Sequence, residues 1–315
     1  MKKFLNLIFT AALIVLGCLS CQKISIEGEP SGWTDRVTLT LISPDALTKA
    51  IGDGKKAKEV YYTAFVDERP VHSLQNKVEL VDGKAVLDLD LVKNVTYKFV
   101  FWAQSVPAEE QIQPYDLTEF YTSSEVKVNY SGLSNDDNRD AFCAMKEITV
   151  KKDKNATIYL RRPFAQVNFC AKDYDMVKYM DLQNEMKSET GIYGLPDKLK
   201  VLDGSVSVSG DSVPVDAFFA LADIPSGDDE YITVQGNKYG YISMNYVLAS
   251  EIGETVSVKA RMVSGNSEWI TNLLPNVPVR RNYKTNIVGE LFVENAVLQI
   301  IIEPDFNTPD FIEQF

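Results

Sequence analysis

The sequence predicts an all-β protein built from two antiparallel β-sandwich domains, on three observations. Apolar and polar residues alternate in short runs rich in Val, Ile, Tyr and Thr from Val37 to the C-terminus. Gly, Asp, Asn and Pro separate these runs with few helical stretches between them, which favours antiparallel pairing over βαβ units. The 295 residues from Cys21 onward are enough chain for two cores of ordinary size.

Taken in order, Lys2 and Lys3 precede an apolar run over residues 4–16 that is too short to span a bilayer, so residues 1–20 read as a signal peptide. The string Leu16-Gly17-Cys18-Leu19-Ser20-Cys21-Gln22-Lys23 then offers two lipobox-like sites. Cys21 is the expected lipidation site, with small Ser20 before it and polar Gln22 and Lys23 after it; Cys18 is the alternative. Acylation would tether the mature chain to a membrane without spanning it, since no later segment has the apolar length of a transmembrane helix. Residues 21–35, with Gly28, Pro30, Gly32 and several acids, read as a flexible tether.

Strands are expected over residues 37–41, 59–66, 84–91, 95–103, 157–160, 201–209, 215–221, 241–248, 255–262 and 296–302. Residues 175–188 dissent: Met176, Tyr179, Met180 and Met186 stand near helical spacing and predict a short helix packed on a sheet. The domain boundary is expected near Arg161-Arg162-Pro163, giving domains 36–162 and 163–315. Pro163 cannot donate to a ladder, and residues 151–155 before it are charged and turn-rich.

The formal charge of −12 becomes −14 when Lys2 and Lys3 leave with the signal. An acidic surface without a basic stripe argues against nucleic acid or anionic headgroups as partners. The single histidine, His72, lies in a polar loop, which limits any histidine triad or multi-histidine metal site to one candidate. Nucleophile-elbow, zincin, phosphate-loop and dinucleotide motifs are absent from the sequence, so no catalytic residue, metal ligand or cofactor is expected.

The densest polar cluster, Asn135-Asp136-Asp137-Asn138-Arg139-Asp140, carries calcium-type oxygen ligands but not their spaced pattern. It reads as a solvated loop. Cys143 and Cys170 read as two buried free thiols, although an oxidising compartment would permit a bridge. Tyr61, Tyr62, Phe99, Phe101, Trp102, Phe218 and Phe219 sit inside apolar strand runs and are expected in the core rather than on a sugar-stacking surface.

Several strings, in their order, resemble the fimbrillin-like lipoproteins of Bacteroidales, relatives of the type V pilins, over essentially the whole mature chain. They are Thr48-Lys49-Ala50-Ile51-Gly52-Asp53-Gly54, Arg139-Asp140-Ala141-Phe142, Arg162-Pro163-Phe164-Ala165-Gln166-Val167-Asn168 and Met244-Asn245-Tyr246-Val247-Leu248. The most specific is Asn276-Val277-Pro278-Val279-Arg280-Arg281-Asn282-Tyr283-Lys284-Thr285-Asn286-Ile287-Val288-Gly289.

The resemblance implies two transthyretin-like sandwiches, export as a lipidated precursor to the outer membrane and cell surface or fimbrium, and no catalytic residues. It also implies a structural or accessory pilus subunit contributing to adhesion, whose partners are other pilus subunits, the outer membrane through the lipid, and a host or bacterial surface ligand. In type V pilins an arginine-specific protease removes the first strand, and a neighbour's C-terminal strand fills the groove. Here the bond between Lys49 and Ala50 is the candidate processing site, although relatives usually carry arginine at that position.

Both strands implied by that scheme are amphipathic. Val37, Leu39 and Leu41 share one face of the exchangeable first strand, and Ala296, Leu298, Ile300 and Ile302 share one face of the donor, residues 294–303. Asp211-Ser212-Val213 resembles the acceptor motif of protein O-glycosylation in these bacteria. The competing functional reading is a monomeric surface glycan-binding lipoprotein, which requires exposed aromatics on a platform.

Overall fold

The computed structural model describes residues 23–24, 32–44, 54–106, 113–151, 154–210, 213–293 and 297–304. It is almost entirely β. The chain begins with β1 (Lys23–Ile24), β2 (Thr34–Ile42), β3 (Glu59–Val66), β4 (Arg69–Pro70), β5 (Asn76–Glu79), β6 (Lys84–Val92) and β7 (Thr96–Gln104). Three short strands follow, β8 (Tyr115–Asp116), β9 (Glu125–Val128) and β10 (Gly132–Leu133), with the one-turn helix α1 (Phe120–Ser123) among them. Then come β11 (Phe142–Thr149) and β12 (Lys154–Tyr159).

These strands build two facing sheets, ordered β1-β6-β2-β12 and β11-β7-β3-β4, with β5 also on β3. The alternation of β2 and β6 puts Val37, Leu39, Leu41, Leu87, Leu89 and Leu91 on one side. There they share a core with Tyr62, Phe99 and Phe101 of the facing sheet. Within the segment expected as a tether, Lys23–Ile24 pair in parallel with Asp88 and Leu89, and β2 already starts at Thr34.

Past Arg162-Pro163 the chain enters other sheets, through β13 (Phe164–Ala171), helix α2 (Tyr174–Tyr179), β14 (Lys187–Leu195), β15 (Lys198–Lys200), β16 (Ser205–Ser207) and β17 (Val215–Asp223). It continues with β18 (Tyr231–Val234), β19 (Asn237–Leu248), β20 (Glu254–Ser264), β21 (Ser267–Ile270), β22 (Leu274–Val279), β23 (Tyr283–Gly289) and β24 (Leu298–Pro304). One sheet is ordered β18-β19-β13-β23-β24, and a second β10-β17-β14-β20-β21 with β22 also on β20. Between them lies a larger core that includes Val167, Phe169, Ile192, Phe219, Ile242, Val258 and Met262.

Residues 115–133 do not pair with the strands that precede them. β9 pairs with β15, and β10 pairs with β17, so this segment adds to sheets made by the later half of the chain. Phe65, Val100 and Trp102, on the far face of the β3/β7 sheet, belong to the larger core, where Trp102 meets Tyr115 edge-on at 5.0 Å.

Three expectations are corrected here. The helix is shorter and earlier than residues 175–188. It buries Tyr174 and Val177, while Tyr179 is 93% exposed, and residues 187–188 already belong to β14. Asp181 at φ 57° ends the helical path by turning the chain left-handed. The continuous strand expected over 201–209 is a turn through Gly204, φ 73°, followed by only three strand residues in β16. The polar cluster 135–140 is not a solvated loop but a packed turn, described next.

Candidate functional site

β2 is an interior strand. It runs antiparallel to β6, with Val37 opposite Leu89, Thr38 opposite Asp88 and Ile42 opposite Lys84. On its other side it runs parallel to β12, with Leu39 opposite Ala156 and Leu41 opposite Ile158. Val37, Leu39 and Leu41 are wholly buried. Both backbone edges and one side-chain face of this strand are therefore satisfied by its own chain. Its removal would leave two unpaired ladders above an open apolar floor.

The outer face of the same strand carries a polar pin that the sequence reading passed over. Thr38 Oγ1 donates to Asp88 Oδ1 at 2.6 Å, and Arg36 Nη2 pairs with Asp88 Oδ2 at 2.9 Å. The Thr38 hydroxyl first, with Arg36 adding to it, holds the Asp88 carboxyl below its ordinary range. Arg36, Thr38, Lys84 and Asp88 stand at alternate positions on neighbouring strands. That pattern was the available signal for a shared outer face.

The donor candidate β24 lies elsewhere, at the edge of the β18-β19-β13-β23-β24 sheet, and among the described residues pairs with β23 alone. Leu298 and Ile300 pack against the larger core, but Ile302 is 42% exposed. Ile301, assigned by alternation to the opposite face, is the more buried at 8% and packs with Cys170, Val234 and Val288. Both faces of β24 thus carry apolar contacts. Glu303 fixes its end, accepting from Asn286 Nδ2 at 2.9 Å and from the Gln235 backbone N–H at 3.0 Å. The structure does not bring β2 and β24 together. Cys18, Cys21, Lys49, Ala50 and Ala296 lie outside the described residues, as do Asp211 and Ser212.

The 135–140 turn joins the two parts of the chain. Asp140 and Arg162 form a buried two-point ion pair, Nε to Oδ1 and Nη2 to Oδ2, each 2.6 Å, with Arg162 lying 4.8 Å over the Phe142 ring. Asp137 accepts from the Tyr246 hydroxyl at 3.0 Å, and Asp136 caps the turn by accepting from the Asn138 N–H. Asn135 accepts from the Met244 N–H and donates to the Asp223 carbonyl. These oxygens are taken up by the protein itself. Among the described residues no group of three or more His, Cys, Asp or Glu side chains is placed to hold a metal.

His72 is exposed in a short turn, its Nδ1 3.4 Å from Gln75 Oε1. Cys143 and Cys170 are free thiols, but only Cys170 is wholly buried and Cys143 is half-buried, against the expectation of two buried thiols; burial pushes Cys143 up to about 12 and Cys170 higher still. Of the aromatics expected in the core, Tyr62, Phe99, Phe101, Trp102 and Phe219 are there and Tyr61 is half-buried, but Phe218 is 63% exposed. Phe218 stands edge-on to Tyr193, 5.5 Å between ring centroids, on the outer face of the β14/β17 sheet.

The chain shares its fold with solved proteins of very low sequence identity. A candidate cell adhesion protein from Bacteroides uniformis superposes with a TM-score of 0.50 at 10% identity, covering 87% of this chain and 99% of its own. A candidate cell adhesion protein from Bacteroides ovatus gives a TM-score of 0.50 at 7% identity, covering 87% and 98%. The tip fimbrial protein Mfa3 from Porphyromonas gingivalis, truncated at its C-terminus, gives 0.47 at 10% identity, covering 85% and 99%. No curated protein matches the chain in sequence. A family model does match it over residues 48–314, most of its length, and the chain accordingly belongs to the family of unknown function DUF6562.

Proposed function

We propose that this chain is a structural or accessory subunit of a cell-surface pilus, exported as a lipidated precursor and assembled by β-strand exchange, with a role in adhesion. The observation that carries the reading is the seat of β2, an apolar strand buried between β6 and β12. A strand in that seat can be replaced by an equivalent one from a neighbour with little change in the rest of the two sheets. The shared fold with the two Bacteroides proteins described as candidate adhesion proteins supports the same reading.

In this account Cys21 carries the lipid, and cleavage after Lys49 frees residues 37–49. The two transthyretin-like units are 36–162 and 163–315, with residues 115–133 serving the second. The protein has no catalytic role. The test is N-terminal analysis of surface material together with deletion of residues 294–315. A mature end at Ala50 and loss of fibres on deletion are expected; unchanged fibres after the deletion rule that donor out.

A second reading, a monomeric glycan-binding surface lipoprotein, is favoured by the exposed Phe218 beside Tyr193. It predicts that Phe218→Ala abolishes retention on immobilised polysaccharide while fibres, if present, are unaffected.

A further inference from the structure

The outer face of the β14/β17/β20 sheet carries an aromatic corner with a cation beside it. Glu189, Gly191 and Tyr193 of β14 alternate with buried Thr190 and Ile192 and so face outward. Gly191 stands opposite Phe218 of β17 on one side and Lys259 of β20 on the other, both exposed. With neighbouring strands about 4.8 Å apart, Phe218 and Lys259 are rooted about 10 Å from each other with the bare glycine between them.

Tyr193 reaches into that space from two residues along its own strand. A Cβ on Gly191 would lie 2.7 Å from the Tyr193 hydroxyl oxygen and 3.1 Å from Cζ, so the phenol folds back over the glycine backbone. Phe218 stands against it at an interplanar angle of 81°. The two rings form a near-right-angled corner that can take the apolar C–H face of one sugar ring.

The polar groups around the corner are unspent. Neither the Tyr193 hydroxyl nor the Lys259 ammonium has a hydrogen-bond or ion-pair partner among the described residues. The other cations on this face are neutralised, Lys187 by Asp223 at 3.4 Å and Arg261 by Glu189 at 3.4 Å and by Glu268. In a chain of net charge −12, one uncompensated ammonium beside the aromatic corner is complementary to a carboxylate carried on the sugar. Asp216, two residues before Phe218, accepts the Gly194 N–H at 3.3 Å and keeps capacity to accept from a sugar hydroxyl. These groups give the site a polarity, with the acid group toward β20 and the hydroxyls toward β17.

We propose that Phe218, Tyr193 and Lys259 form a binding site for a hexuronic acid unit of a polysaccharide, with Gly191 present so that the Tyr193 ring can lie over it. The proposal rests on the glycan-binding reading above and adds to it the charge of the sugar and the residues that hold it.

The experiment is biolayer interferometry of the full-length protein, held in a nonionic detergent, on immobilised polygalacturonate and on the same polymer after reduction of its carboxyl groups. Binding should be about tenfold or more tighter on the acidic polymer. Phe218→Ala should abolish binding to both, and Lys259→Met should remove only the preference for the acid. Gly191→Ala puts a methyl group where the Tyr193 phenol lies and should weaken binding about tenfold. Its melting temperature should hold or rise, because alanine suits a strand interior better than glycine, so lost binding in that variant is not lost folding. Equal binding to the two polymers overturns the acidic sugar and leaves the glycan-binding reading standing. Binding to the acidic polymer that survives Phe218→Ala and Gly191→Ala is diffuse charge attraction and overturns the site. No binding to either polymer overturns the proposal, and the glycan-binding reading falls with it only if the protein is also not retained on immobilised neutral polysaccharides of other linkages.

Discussion

Replacing Asp140 by asparagine tests how strongly the 135–140 turn binds the two parts of the chain. Asp140 is fully buried, and its carboxylate meets Arg162 through two bonds of 2.6 Å, while the guanidinium itself is 2% exposed and lies over Phe142. Asn keeps the shape and one acceptor but removes the charge that faces the buried guanidinium. Losing one partner of such a pair costs about 3–5 kcal/mol. At roughly 2–4 °C per kcal/mol for a chain of this size, the melting temperature should fall by about 10 °C or more. Circular dichroism melts of the soluble chain lacking residues 1–21 provide the measurement. Asp140→Leu combined with Arg162→Met should recover most of the loss, since a well-packed apolar pair can replace a buried ion pair nearly neutrally. An Asp140→Asn variant within about 0.5 kcal/mol of the parent would refute the reasoning, because surface substitutions cost no more than that.

Three further outcomes follow from the same geometry. Leu39→Ala, at a wholly buried site in the middle of β2, should destabilise by about 2–5 kcal/mol in urea titrations, through lost burial and the cavity left behind. The Asp88 carboxyl is held below the ordinary carboxylate range, so its contribution is present above that range and lost as pH falls through the lower folded pKa. Thr38→Val should therefore flatten the acid limb of the stability profile below about pH 4 and leave its slope near neutrality unchanged. Cys170, wholly buried and with its thiol pushed up by burial, should not react with an aromatic disulfide reagent at pH 8 until denaturant is added.

Much of the fold was legible in the sequence because alternation is a local signal. β2 and β6 fall on runs whose period of two places their apolar residues inward, as the burial of Val37, Leu39, Leu41, Leu87, Leu89 and Leu91 bears out, while β3, β7 and β19 fall on apolar runs buried on both faces. The polar cluster 135–140 was misread because its burial is made by distant residues: Arg162 lies 22 positions away and Tyr246 is 109 from Asp137. Composition describes such a segment as solvated until its partners are known.

The methionines near 176–186 mimic a helical stripe, but the buried face belongs to Tyr174 and Val177, and the path breaks at Asp181. Phe218 is different, because its exposure was readable. Two adjacent residues of a strand point to opposite faces, so Phe218 and Phe219 could not both enter one core. For β2 the sequence marked the apolar face but not the Asp88 pin, which requires knowing that β6 is the neighbour and that Thr38 is opposite Asp88.

The central claim is that the groove between β6 and β12 is filled by another subunit in the assembled state. An electron cryomicroscopy map of fibres sheared from the cell surface tests it most directly. The account predicts that the density between β6 and β12 traces to a neighbour's residues 294–303, with residues 37–49 absent. Density there that traces continuously into the same subunit as Val37, Leu39 and Leu41 would contradict it.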